Sequence, residues 1–176
     1  MTREPGGSPG AEAIRRLLLE GEVERWDAVA EALLLSAARR DHVVKLIRPA
    51  LEGGIWVVCD RFADSTIAYQ GYGRGLPLDR LTALRQFALG DFAPDLTLIL
   101  DVPVAEGMKR AAKRHGSADR FERLDTAFHE RLRAGFKAIA AVEPARCMLL
   151  DATGTVEAVH AAIAAAVAER FGVALQ

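Results

Sequence analysis

Asp60 and Arg61 stand together at the end of an apolar run, Ile55–Cys59 (IWVVC). A carboxylate at a strand end can hold a magnesium ion or its water. A guanidinium beside it can clamp a phosphoryl group through two parallel N–H donors. Taken alone, the pair reads first as a structural salt bridge, because charges at strand ends are common. Three other segments carry residue types of the same kind. Thr2–Gly10 (TREPGGSPG) sets Arg3 and Glu4 at the root of a Gly/Pro-rich stretch. It reads either as a frayed terminus or as a loop that follows a strand and carries an arginine toward an anion. Ser65–Gly75 (STIAYQGYGRG) packs hydroxyls, an amide and both tyrosines of the chain among glycines. That mix suits either small-molecule recognition or an ordinary surface loop. In Lys109–Arg120 (KRAAKRHGSADR), four of the first six residues are basic and a Gly-Ser break follows. This is either a solvated helix end or a basic lid, over about residues 110–122, that covers phosphates.

The elements that must position these groups alternate in type. Ile55–Cys59, Leu96–Leu100 (LTLIL) and Cys147–Leu150 (CMLL) are short apolar runs, each followed by an aspartate: Asp60, Asp101 and Asp151. Unbroken apolar runs predict strands buried on both faces of a parallel sheet. Between them lie helical stripes. Trp26 to Leu51 keeps a 3–4 spacing, as do Leu78/Leu81/Leu84/Phe87, Leu124 to Val142, and Val156 to Val167. Pro103 opens a further helix that reaches about Arg114. Strands alternating with helices predict an α/β fold whose ligands bind beyond the carboxyl ends of the strands, where the post-strand aspartates fall. Trp56 is expected to pack within its strand.

The bulk properties narrow the function. The chain has 176 residues, 51% hydrophobic and 27% charged, with a net charge of −1. These values predict one ordinary globular domain and argue against disorder and against a basic body built to grip nucleic acid. Two cysteines, Cys59 and Cys147, read as buried free thiols in a reducing compartment. No apolar stretch reaches the ~18–20 residues of a membrane span, so the cytoplasm is expected. The four histidines, His42, His115, His129 and His160, show no metal-ligand spacing, and no Ser-His-Asp arrangement is readable.

Taken in order, TREPGG, Ala37-Ala38-Arg39, DRF, STIAYQGYGRG, GDFAPDLTLILDV and the basic segment ending in DRFE resemble bacterial thymidylate kinase from Thr2 to about Val167. The resemblance implies a nucleoside monophosphate kinase fold of the P-loop NTPase type, a parallel sheet wrapped by helices. It implies transfer of the γ-phosphoryl of ATP to dTMP with Mg2+, giving dTDP, by a homodimer. It places Arg3 near the acceptor phosphate, with Glu4 and Pro5 lining the same pocket, and Arg39 on the thymine carbonyl. Thr66 and Gln70 take polar contacts around the base, and Tyr69 packs by the sugar. Asp60 falls by the magnesium and Arg61 on the phosphoryl groups. Arg114 and Arg120 are the candidates for the lid's catalytic arginine. Leu35, one helical turn before Arg39, stands where the family usually has a phenylalanine stacked on thymine.

The family also opens with a strand and a G-x-x-x-x-G-K-[ST] phosphate loop, and that pattern does not occur in these 176 residues. The sequence therefore reads as a single domain lacking its first strand and P-loop. Donor binding and catalysis by this chain alone are expected to fail, and two unpaired strand edges are expected to destabilise it. The alternative function is that of an inactive fragment which binds dTMP or dimerises without turnover.

Overall fold

The computed structural model describes residues 1–113, 120–121 and 123–174. They form two compact units, one of residues 1–93, 120–121 and 123–135, the other of residues 94–113 and 136–174.

The first unit holds the N-terminal loop and most of the expected site. Strand β1 (Thr2–Arg3) pairs in parallel with β2 (Cys59–Asp60), Thr2 opposite Cys59. The TREPGGSPG segment is thus not frayed: Thr2–Arg3 is itself the strand, and a loop follows it up to Ser8. It leads into α1 (Pro9–Leu19), where Pro9 occupies the first turn, whose N–H groups have no intrahelical partner. After a short 3₁₀ turn, Val23–Arg25, helix α2 (Ala28–His42) begins at Asp27, whose side chain accepts from Ala30 N at 2.7 Å.

The single helix expected over 26–51 is interrupted. A π-helical turn, Val43–Ile47, separates α2 from α3 (Arg48–Glu52). Pro49 supplies the reason. Its ring crowds the carbonyl four residues back and it has no N–H to donate. The ladder widens instead, and Arg48 N bonds Val43 O, five residues away. Helix α4 (Ala63–Thr66) follows β2 and passes into a second π turn, Ile67–Gly73, before α5 (Leu78–Leu89). Gly73 is required there. A Cβ on it would lie 2.5 Å from the Phe128 ring of α7 (Thr126–Val142). Val43, Ile47, Phe62, Ala63 and Leu89 form the core beneath these turns.

In the second unit, β3 (Thr97–Asp101) pairs in parallel with β4 (Cys147–Asp151) over five residues. Helix α6 (Val104–Ala112) starts at Pro103, as the sequence predicts. Helix α8 (Val156–Phe171) is capped by Thr155 and stopped by Gly172 in the left-handed conformation.

The pairing is parallel as expected, but the strands differ from the expectation in two ways. Among the described residues they form two two-stranded sheets. They are also not buried on both faces. The ladder touches Ile55–Cys59 only at its end, where Val58 O accepts from Thr2 N at 2.8 Å. Two-residue β1 pairs only with Cys59–Asp60, and Ile55, Trp56 and Val58 are 61, 60 and 63% exposed. The expectation that Trp56 packs inside a strand fails for the same reason. Leu100 and Leu149 are likewise partly exposed, while Ile99 is buried. Neither cysteine is in a disulfide; Cys147 is buried, whereas Cys59 is only half-buried.

Candidate active site

Arg39, near the end of α2, lies at the centre of the site. Its Nε donates to Glu4 Oε2 at 2.6 Å, and its outer nitrogen donates to Thr66 Oγ1 at 3.0 Å and Phe62 O at 3.4 Å. The guanidinium also covers the Phe62 ring at 5.5 Å. Three expected acceptor residues, Glu4, Arg39 and Thr66, are therefore bonded to one another. Glu4 is held from its other side by His42 Nδ1 at 3.2 Å, and the second ring nitrogen of His42 meets Thr2 Oγ1 at 2.9 Å. All of these except Thr2 are buried.

The loop before α1 is braced from within. Gly7 N donates to Glu12 Oε1 at 3.0 Å, and Arg15 donates to Pro5 O at 2.7 Å. Ser8 donates to Asp41 Oδ2 at 2.7 Å. The Gly7 N–H holds the Glu12 carboxyl below its ordinary range, and the Lys45 ammonium, with Ser8, does the same for Asp41. Arg3 is exposed and pairs with Glu12 at 3.3 Å.

Asp60 and Arg61 sit at the carboxyl end of β2, both side chains exposed. Arg61 has φ +66°, the left-handed region that non-glycine residues adopt uncommonly. Its guanidinium covers the Tyr69 ring at 5.1 Å, and Tyr69 packs edge-on against Phe121 and Phe128. Next to them, burial first, then the Glu4 and Asp60 carboxylates, push the Cys59 thiol up to about 12. Its Sγ–H donates to Arg61 O at 3.1 Å.

Gln70 is fully buried in the second π turn, and Leu35 is half-buried on α2. Arg120 is also fully buried. Its Nε donates to Leu18 O at 3.0 Å, and its two outer nitrogens donate to Val23 O at 2.7 Å and Glu31 Oε1 at 2.5 Å. Each of its nitrogens is committed to the protein. Arg114, the other lid candidate, lies outside the described residues.

Relatives supply the remaining evidence. The thymidylate kinase family model matches residues 1–163. The chain belongs to the thymidylate kinase family. Thymidylate kinase of Caulobacter vibrioides is 55% identical over 98% of this chain and 82% of its own length. That of Nitrobacter hamburgensis is 56% identical over 99% of this chain and 76% of its own. A crystal structure of thymidylate kinase from Ehrlichia chaffeensis superposes with a TM-score of 0.72 and 36% identity, covering 94% of this chain and 78% of that one.

Against this family background, sequence reasoning passed over two buried groups, Glu31 and His42. The signal was present in the helix period. Glu31, Leu35 and Arg39 recur every four residues, and His42 follows Arg39 by three, so all four share one stripe of α2. Counting polar residues along the stripe that carries Arg39 would have found both.

Proposed function

We propose that this chain carries the acceptor side of a dTMP kinase, which phosphorylates dTMP to dTDP with ATP as donor. The observation that carries this reading is the buried Glu4–Arg39–Thr66 linkage. An arginine fixed by an ion pair and a hydroxyl presents its remaining donors in a set direction, as recognition of a planar base requires. Tyr69, aligned by Phe121 and Phe128, walls the sugar, and Arg3 and Arg61 supply exposed positive charge for the phosphates. Phosphoryl transfer draws on such positioning and charge neutralisation more than on a covalent partner.

Arg61 is the proposed catalytic arginine of this unit. Its left-handed backbone and its stacking on Tyr69 fix where the guanidinium stands before substrate arrives, which lowers the ordering cost at reaction. Arg120 takes a positioning role, because its nitrogens are already spent, and the proposed lid arginine is Arg114. Asp60 offers one exposed carboxylate of hard oxygen donors, which suits a magnesium ion that keeps water and takes other ligands from substrate phosphates. Bound there, magnesium would neutralise phosphate charge. The residues of this chain do the rest by holding the acceptor.

The G-x-x-x-x-G-K-[ST] pattern does not occur in these 176 residues. In our reading these residues bind dTMP, and the donor phosphates need that loop as well. We extend the proposal to a cytoplasmic homodimer. Two cysteines outside any disulfide suit the compartment, and the half-exposed Val29 and Leu33 of α2 suit the dimer. Among the described residues no helix is long and apolar enough to cross a membrane.

Calorimetry with dTMP, ATP and dCMP on the 176-residue chain tests the assignment. Binding of dTMP well ahead of dCMP is expected, with ATP weak. Equal binding of all three, or of none, would overturn it.

A further inference from the structure

Glu31 is fully buried on α2 and holds together three side chains distant in sequence. Its Oε1 accepts from Arg120 at 2.5 Å and from Arg74 at 3.2 Å. Its Oε2 accepts from Gln70 Nε2 at 3.0 Å. An amide has one donor end and one acceptor end, and a carboxylate only accepts. Glu31 therefore decides which end of Gln70 faces it. The amino end is committed, and the carbonyl end is turned away. Gln70 is wholly buried, yet its Oε1 has no hydrogen-bond partner in the protein. Buried polar atoms are rarely left in that state, and a functional role is one of the recognised reasons.

We infer that Glu31 sets the base preference of the acceptor pocket by fixing the orientation of the Gln70 amide; the inference rests on the dTMP reading above. Thymine carries an N–H at position 3 between two carbonyls, whereas cytosine presents a lone pair there. An acceptor pinned at residue 70 welcomes the first and opposes the second. Free rotation of the amide would remove the distinction, because the amino end could then serve cytosine. The two guanidiniums on Oε1 strengthen the device. They supply the charge that lets Glu31 stay buried while its other oxygen holds Gln70. Glu31 acts through Gln70 and is a positioning residue. A site built around a committed hydrogen bond discriminates far more sharply than one built on shape.

The test is a ratio of affinities, which a purely structural role would not move. Calorimetry on the 176-residue chain uses dTMP, dCMP and N3-methyl-dTMP as probes. The unaltered chain should prefer dTMP over each of the others by about 100-fold or more. In Glu31→Gln the amide at 70 is free to turn, and the dTMP-to-dCMP ratio should fall at least about tenfold, with dCMP binding gaining. Gln70→Met, which keeps the side-chain length and leaves Glu31 with its two arginines, gives the second measurement should Glu31→Gln not fold. It should lose the preference for dTMP over N3-methyl-dTMP. An unaltered chain that prefers dTMP, with variants that keep both ratios within about twofold, overturns this inference alone. An unaltered chain that does not distinguish dTMP overturns the acceptor reading, and this inference falls with it.

Discussion

Arg39 and Glu4, thirty-five residues apart, meet through a 2.6 Å Nε–Oε2 contact with their side chains only 5% and 3% exposed. A buried charge pair adds little net stability over a well-packed apolar pair, but removing one partner leaves the other uncompensated. Arg39→Ala leaves the Glu4 carboxylate with His42 alone. We expect a loss of about 3–5 kcal/mol in a urea melt, together with loss of dTMP binding. Arg39→Lys keeps the charge but cannot span Glu4, Thr66 and the Phe62 carbonyl in one plane, so it should fall between the two. A melt of Arg39→Ala within 1 kcal/mol of the parent, by the roughly 0.5–1.5 kcal/mol of an ordinary hydrogen bond, would mean that the pair does not hold the site.

Arg61 and Arg120 should separate on opposite measurements. Arg61 is exposed and stacked on Tyr69, so Arg61→Ala should leave the melting temperature nearly unchanged. In a protein that also carries the phosphate loop, the same change should lower kcat by about 10²–10³-fold, the scale of removing one electrostatic contact to the transition state. Arg120→Met strips the buried Glu31 of a charged partner and frees two backbone carbonyls. It should cost about 3–5 kcal/mol of stability. Thermal melts beside steady-state rates give both numbers, and the reverse pattern would exchange the two roles.

The sequence made the chemistry more legible than the scaffold. TREPGG, Arg39, DRF and AYQGYG are local strings, and the structure brings Glu4, Arg39 and Thr66 into contact. The helices came through because their apolar periods are local as well. Three things were not readable. The widening of the ladder at Val43–Ile47 depends on one proline, and the period hides it. The exposure of Ile55–Val58 depends on how many strands flank the run, which its composition does not report. The fate of Arg120 depends on Glu31, eighty-nine residues away, and a basic cluster looks the same whether its members reach solvent or a buried carboxylate.

Gly7 has φ +86°, and a Cβ there would stand 2.3 Å from His42 Nε2 and 2.5 Å from Thr2 Oγ1. Both the backbone and the space call for glycine. Gly7→Ala should destabilise by about 1–3 kcal/mol from the strained conformation alone, and the clash would part His42 from Thr2. Hydrogen exchange should show faster exchange at Thr2 and Glu4, whose N–H groups bond to Val58 and Asp60. Unchanged protection at both amides would count against this account of the loop.

The Cys59 thiol, raised to about 12, makes two expectations. Near neutral pH only about one molecule in 10⁴–10⁵ carries the thiolate, so alkylation by iodoacetamide should be far slower than for a free thiol of ordinary pKa. Stability follows from the sign of the shift. The folded state holds this proton more tightly than the unfolded state does. Its contribution is therefore complete below about 9, the value of an unperturbed thiol, and is lost as pH rises toward 12. Cys59→Ser should flatten that alkaline decline. Glu12 and Asp41 act in the opposite direction: their lowered values stabilise above the ordinary carboxylate range and fail as pH drops below about 4. Melts of the parent, Cys59→Ser and Glu12→Gln across pH 3–11 check both limbs.

Leu35 lies half-buried one helical turn before Arg39. A leucine at this place packs on a base by dispersion alone. An aromatic ring adds offset stacking, worth about 0.5–1.5 kcal/mol between rings, or roughly a two- to tenfold change in affinity. Leu35→Phe should therefore tighten dTMP binding by that factor. Position 35 is not sealed in the core, so the larger ring has solvent to expand toward, and stability should change little. The gain should extend to every planar base, because stacking is indifferent to hydrogen-bond pattern, and the ratio of dTMP to dCMP affinity should stay constant. Calorimetry with both nucleotides measures the affinity and the ratio together. An unchanged dTMP affinity would place the base away from residue 35, and a changed ratio would mean that position 35 also reads the base edge.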